Sequence, residues 1–100
     1  MKRHFSVNKY SEILGIDLKD TTRKAENVTA RYAVFYKLRL DGAKLAVISR
    51  LSGYHHSTII HGVTQFQNLL DSKDKLAVEY WDMIKDDEYK VVTTINGVAI

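Results

Sequence analysis

Between Leu45 and Phe66 the apolar residues of this chain fall at helical spacing on both sides of a single glycine. Leu45, Ile48 and Leu51 recur at three-residue intervals before Gly53. Ile59, Ile60, Val63, Phe66 and Leu70 recur at threes and fours after it. Each set draws one apolar stripe along a helix, and Gly53 can take the left-handed conformation that ends the first. The cluster His55, His56, Ser57 and Thr58 opens the second, with Ser57 or Thr58 able to cap it. Ser57, Thr58, His61, Thr64 and Gln65 are left on its outer side. Two short helices joined by a tight turn, the second beginning in small polar side chains, have the form of a helix-turn-helix.

The remainder of the chain is consistent with an all-helical setting. It has no proline, so glycines do most of the punctuation. Val7 to Leu14 reads as an amphipathic helix, capped by Asn8 or Ser6 and closed by Gly15. The longest helix is expected from Thr21 or Thr22 to about Leu40, with Val28, Tyr32, Phe35, Tyr36 and Arg39 on one side. Ala25, Ala33, Val34, Leu38 and Leu40 widen its apolar surface, which makes it the central helix. Asp41-Gly42 breaks it. A fifth helix is expected from Lys73 to Asp87, with Leu76, Ala77, Tyr80, Trp81 and Ile84 inward. The stretch from Tyr89 to Ile100 is β-prone. Asn96-Gly97 suits a turn there, and a small hairpin, a partner-pairing strand or a disordered end are all open. The expected fold is an all-α, compact bundle of about five helices, with a helix-turn-helix domain over 1–88 and a tail over 89–100.

Composition narrows the class. A chain of 100 residues with 45% hydrophobic and 27% charged content is one small globular domain. It has no cysteine, so neither disulfides nor thiolate chemistry contribute, in keeping with a reducing, cytoplasmic setting. No apolar run is long enough to span a bilayer. The basic N-terminus has no apolar stretch behind it and does not read as a signal peptide. Charge is unevenly divided. Residues 1–50 hold eleven Lys or Arg against five acids, and residues 51–100 hold four against seven. A basic half beside an acidic one favours one face toward phosphates and another away from them.

A helix enters the DNA major groove with its leading residues, which must be small or polar enough to reach base edges. His55, His56, Ser57, Thr58 and His61 supply such groups within about two turns. Each hydroxyl would serve equally well as a simple N-cap, and His56 could instead be a partly buried histidine holding the turn. Arg23, Lys24 and Arg31 are spaced to track a backbone or enter the minor groove. Lys44 and Arg50 flank the third helix and are candidates for phosphate contacts. Taken singly, each cation also reads as ordinary solvated surface charge.

Metal and catalytic readings find little support. His55 and His56 are adjacent and point apart, and His61 is out of helical register with His56. No cysteine or HExxH pattern joins them. Ser57 near His56 and His61 has the composition of a nucleophile and base, but no strand-turn-helix elbow and no nearby carboxylate. No P-loop or Rossmann glycine pattern is present. The expectation is a non-enzyme without cofactors.

One family resemblance is specific. Arg23, Ala30-Arg31 and Tyr36-Lys37-Leu38, then Tyr54-His55-His56-Ser57-Thr58-Ile59 and His61-Gly62, follow a known order. They are similar to the C-terminal DNA-binding domain of the bacterial chromosomal replication initiator DnaA, an all-helical, Trp-repressor-like fold. Leu14-Gly15-Ile16 falls where that family has a short apolar trio. The resemblance covers roughly residues 8–85 and is sharpest at His56-Ser57-Thr58-Ile59. It implies that Arg23 and Arg31 face phosphates or the minor groove. It places His56, Ser57 and Thr58 in the major groove and makes Lys44 and Arg50 looser backbone contacts. Where the family has Arg-Asp, this chain has Tyr54-His55, and tyrosine cannot make the bidentate guanine contact of that arginine. The family's ATPase domain has no counterpart in these residues, which implies a stand-alone relative, from a phage or mobile element, or an excised domain. The expected function is double-stranded DNA binding in replication or transcription control, with a replication protein or a second copy as further partner. The alternative is a protein-interaction module that kept the fold and modulates an initiator or helicase without touching DNA.

Overall fold

Three glycines with positive φ divide the helical chain: Gly15 at 70°, Gly42 at 95° and Gly53 at 79°. A β-carbon disfavours this backbone region, so glycine is the residue that ends a helix and turns the chain here. The computed structural model describes residues 5–16, 18 and 23–86, and the short segments 94–95 and 98–99. Among them five helices form: α1 (Phe5–Leu14), α2 (Ala25–Leu40), α3 (Leu45–Ser52), α4 (His56–Asp71) and α5 (Lys75–Ile84). Two two-residue strands, β1 (Thr94–Ile95) and β2 (Val98–Ala99), pair antiparallel with Thr94 opposite Ala99. The fold is all-α. No helix among the described residues is long and apolar enough to cross a membrane.

The helix order matches the apolar periodicity, and the ends differ in instructive ways. Helix α1 begins at Phe5, so Ser6 and Asn8 fall within its range and not at its start. Helix α2 begins at Ala25 with Lys24 as its N-cap residue; Thr21 and Thr22 lie outside the described residues. Helix α5 begins at Lys75, not Lys73. Lys73 takes a positive φ of 60° in the turn, and the Asp74 carboxylate accepts from the Ala77 N–H at 3.0 Å as a true cap. Its far end stops at Ile84, short of Asp87, which with the Asn96-Gly97 turn lies outside the described residues.

Helix α2 is central, as its width of apolar surface predicts. Ala30, Ala33, Val34, Phe35 and Leu38 are buried on it, and its broadest contact is with α4. That contact is close because Gly62 lies on the inner side of α4. A β-carbon there would stand 2.7 Å from Tyr32 Cδ1 and 3.0 Å from Phe35 Cδ2. Tyr36, Phe66 and Trp81 then join α2, α4 and α5 in one aromatic cluster, with ring centroids 5.2 to 6.1 Å apart. Tilted and edge-on rings at this range are favourable beyond the area they bury.

Two expectations about facing residues are corrected. Arg39 is exposed instead of inward, and its Nη1 donates to the Ala43 carbonyl at 2.9 Å. Lys37 takes the inner position, only 5% exposed. Its ammonium lies 3.2 Å from Asp41 and donates to the Lys85 carbonyl at 3.1 Å, just beyond the end of α5. A buried ammonium survives only when it is paired and hydrogen-bonded, and the end of α5 offers a carbonyl that needs a donor. Ile60, assigned to the inner stripe of α4 by its spacing, is 50% exposed. Ile59, Gly62 and Phe66 bury that helix without it.

Candidate nucleic-acid interface

Helices α3 and α4 are joined by the three residues Gly53, Tyr54 and His55. The turn is held by serines of α3. Ser49 Oγ donates to the Tyr54 carbonyl at 2.7 Å, and Ser52 Oγ accepts from the Tyr54 N–H at 3.2 Å. The Tyr54 ring packs edge-on against Phe35 at 5.7 Å between centroids. The entry to α4 is thereby fixed to both α3 and α2.

The cap of α4 is His55, not Ser57 or Thr58. Its Nδ1 accepts from the Ser57 N–H at 3.2 Å and lies 3.0 Å from Ser57 Oγ. An Nδ1 that accepts requires the ring proton on Nε2. The helix starts two residues earlier than a Ser57 cap would place it and three earlier than a Thr58 cap would, and both hydroxyls fall within its first turn. His56, Ser57 and His61 are exposed, and Thr58 is half-buried. His61 leans edge-on against the Tyr32 ring at 5.9 Å.

Of the five candidate cations, Arg23, Lys24, Lys44 and Arg50 are exposed. Arg31 is not. It is half-buried, with Nη1 donating to the Tyr54 hydroxyl at 3.1 Å and its guanidinium carbon 5.3 Å from the Tyr54 ring centre. Arg23, Lys24 and Arg31 therefore form no single stripe, since the first two precede α2 and the third turns inward along it. The ring contacts give the direction in which α2 and α4 pack. Tyr32 meets His61 and Gly62, and Tyr36 meets Phe66 one turn on. Helices α2 and α4 thus run in the same sense, and Lys24 at the head of α2 lines a groove with Leu14, Gly15, Ile16 and Tyr80, between the end of α1 and α5.

Three features escaped the reading of the sequence. Residues 51–70 contain no Lys, Arg, Asp or Glu, although 27% of the chain is charged. The outward face of α4 is accordingly uncharged from Ser57 to Asn68, carrying Ser57, Ile60, His61, Thr64, Gln65 and Asn68, and meets a charge only at exposed Asp71, its last residue. Second, α2 and α3 both start at a lysine, Lys24 and Lys44, with no side-chain cap bond. Lysine offers no acceptor and puts a cation at the positive end of a helix dipole, so neither choice favours the helix itself. Third, Arg31 and Tyr54 are partners. The charge-free run was visible in the sequence; the other two depend on where helices start and cross.

Among the described residues no three His, Asp or Glu side chains gather as a metal site requires. Two phenols are shifted, both away from this face. Burial, then the Asp71 carboxylate, raises Tyr36; burial, then Glu26 and Glu79, raises Tyr80. No family model, curated protein or solved structure matches the chain.

Proposed function

We propose that this protein binds double-stranded DNA without catalysing a reaction, using α3 and α4 as a Trp-repressor-like helix-turn-helix. The first turns of α4 lie in the major groove, and Lys24, Arg23, Lys44 and Arg50 contact phosphates around it. The observation that carries this reading is the division of labour in charge. Over its first three turns the outer face of α4 holds mainly hydrogen-bonding side chains and no formal charge, the only acid of the helix being Asp71 at its far end, while exposed cations sit on other elements. Uncharged donors and acceptors of this kind can read base edges, and cations hold phosphates. The uncapped lysines at the starts of α2 and α3 support it, because backbone N–H groups and an ammonium together favour a phosphate. The reading agrees with the DnaA-like residue order and with a role in replication or transcription control. A domain of this size gains from a second anchor, such as another copy or a replication protein.

One observation favours a protein partner as well. Leu40 is 60% and Met83 48% exposed, and the bond from Lys37 to Lys85 draws the ends of their two helices together. This surface lies on the C-terminal ends of α2 and α5, apart from the start of α4.

The test is fluorescence anisotropy on a random-sequence duplex across a salt series. Binding that weakens steeply with salt supports the reading. Lys24→Ala and Arg50→Ala should each lower the slope of log K against log salt by about one. An absence of binding at tens of micromolar protein in low salt would overturn it and leave the protein-partner surface as the working face.

A further inference from the structure

Ile60 has no structural reason to be isoleucine. It stands half exposed in the second turn of α4 and outside the core cluster. A β-branched residue on a helix surface is a weaker helix former than Ala, Gln or Lys. Its exposed neighbours Ser57, His61 and Thr64 are polar, and the adjacent Val63 is half-buried against the core. The other large exposed apolar side chains, Leu40 and Met83, lie on other helices. A single apolar side chain among hydrogen-bonding groups is too small a patch for a protein interface. It has the right character for a surface that is itself mostly donors and acceptors with isolated apolar marks. The major groove is such a surface, and its apolar mark is the thymine C5-methyl group.

We infer that Ile60 is a specificity-determining residue that packs on a thymine methyl in the major groove, with the Thr64 methyl extending the contact. The inference rests on the DNA-binding reading above and adds to it a base preference. Position in the helix agrees. Ser57, Ile60, His61 and Thr64 fall within the leading turns that reach base edges when a helix enters the groove by its N-terminus. Ser57 and His61 beside Ile60 supply the hydrogen bonds that fix register, and Ile60 distinguishes thymine from cytosine at one position. The surface lacks an arginine on α4, so a guanine-reading bidentate contact is not available there.

The experiment has two stages. The wild-type protein first selects from a randomised duplex library, and the enriched duplex is then synthesised with each thymine replaced in turn by deoxyuridine, which lacks only the methyl. Affinities are measured for the wild type and for Ile60→Ala, whose helical circular dichroism should equal that of the wild type because the site is exposed and Ala favours a helix. The expected result is that one replacement weakens the wild type by about three- to fivefold, the value of roughly one buried methyl. The same replacement leaves Ile60→Ala unchanged. If the library yields no preferred sequence, or every replacement affects both proteins equally while salt-sensitive binding persists, Ile60 does not read thymine and DNA binding stands. If no duplex binds at all, both ideas fall together.

Discussion

Arg31 of α2 and Tyr54 of the α3–α4 turn form one unit. The guanidinium donates to the phenol oxygen at 3.1 Å, and its carbon lies 5.3 Å from the ring centre. Tyr54 in turn packs on Phe35, four residues along α2 from Arg31. The turn before α4 is thus gripped from one helix by a ring contact and a charged hydrogen bond. A side chain read from the sequence as a contact to phosphates or the minor groove is a rivet in this structure.

Arg31→Ala should therefore act on stability before it acts on affinity. Losing the hydrogen bond and the stacked cation should cost about 1 kcal/mol in urea unfolding. Tyr54→Phe keeps the ring and should cost less. Salt titrations of DNA binding provide the counter-test. An unchanged slope for Arg31→Ala fits an arginine committed to Tyr54, and a slope reduced by about one would show that it leaves the ring for a phosphate.

Gly62→Ala tests the closeness of α2 and α4. In an isolated helix the change would gain up to about 1 kcal/mol of propensity. Here the new methyl would stand 2.7 Å from Tyr32 Cδ1 and 3.0 Å from buried Phe35. The expected net result is a loss of about 1–3 kcal/mol, read as a lower midpoint in thermal or urea unfolding. A stabilised variant would mean that Tyr32 moves aside freely and that Gly62 does not set the helix spacing.

Lys37 is a buried ammonium whose partners are Asp41 and the Lys85 carbonyl. Lys37→Ala should cost about 2 kcal/mol, through the cavity and the lost ammonium bonds. Lys37→Met fills the same space, loses only those bonds and should cost about 1 kcal/mol. Equal losses in both variants would show that the ammonium itself, not its stem, holds α2 to the end of α5.

Alkaline pH should unfold the protein through Tyr36 and Tyr80. Both phenols are raised above their ordinary value of 10.0, chiefly by burial. The folded state keeps the neutral phenol after the unfolded chain has ionised, so the stability they contribute is complete below pH 10 and is lost as pH rises through their folded values. Absorbance at the phenolate band should show late-titrating tyrosines in the native protein. Substituting both with Phe should flatten the loss of stability above pH 10. Tyrosines that all titrate together would contradict this.

The helices and their order were legible because they rest on local signals. Gly15, Gly42 and Gly53 end helices where they stand, and Ile48, Ile59 and Phe66 are buried where their spacing puts them. The misreadings share a tertiary cause. Periodicity alone placed Ile60 inside, but Gly62 let α4 approach α2 by a neighbouring strip that leaves Ile60 out. It also placed Arg39 inside, but only Lys37 could meet the unpaired carbonyl at the end of α5. The cap of α4 went to His55 because its ring nitrogen can accept, a role the residue type shares with Ser57 and Thr58. The same holds at the site: exposed Arg23, Lys24, Lys44 and Arg50 were readable as surface cations, whereas the engagement of Arg31 depends on which ring the turn delivers to it.

Helices α2 and α4 run in the same sense, and their backbone dipoles reinforce each other where an antiparallel pair would cancel. Lys24 at the head of α2 and Asp71 in the last residue of α4 add to that separation of charge, while Glu26 in the first turn of α2 and Lys37 and Arg39 in its last reduce it. A body with such a built-in polarity experiences torque in the field of a polyanion before any atoms touch. On the proposal that the protein binds DNA, the net polarity of this pair would bias which end faces the polyanion first.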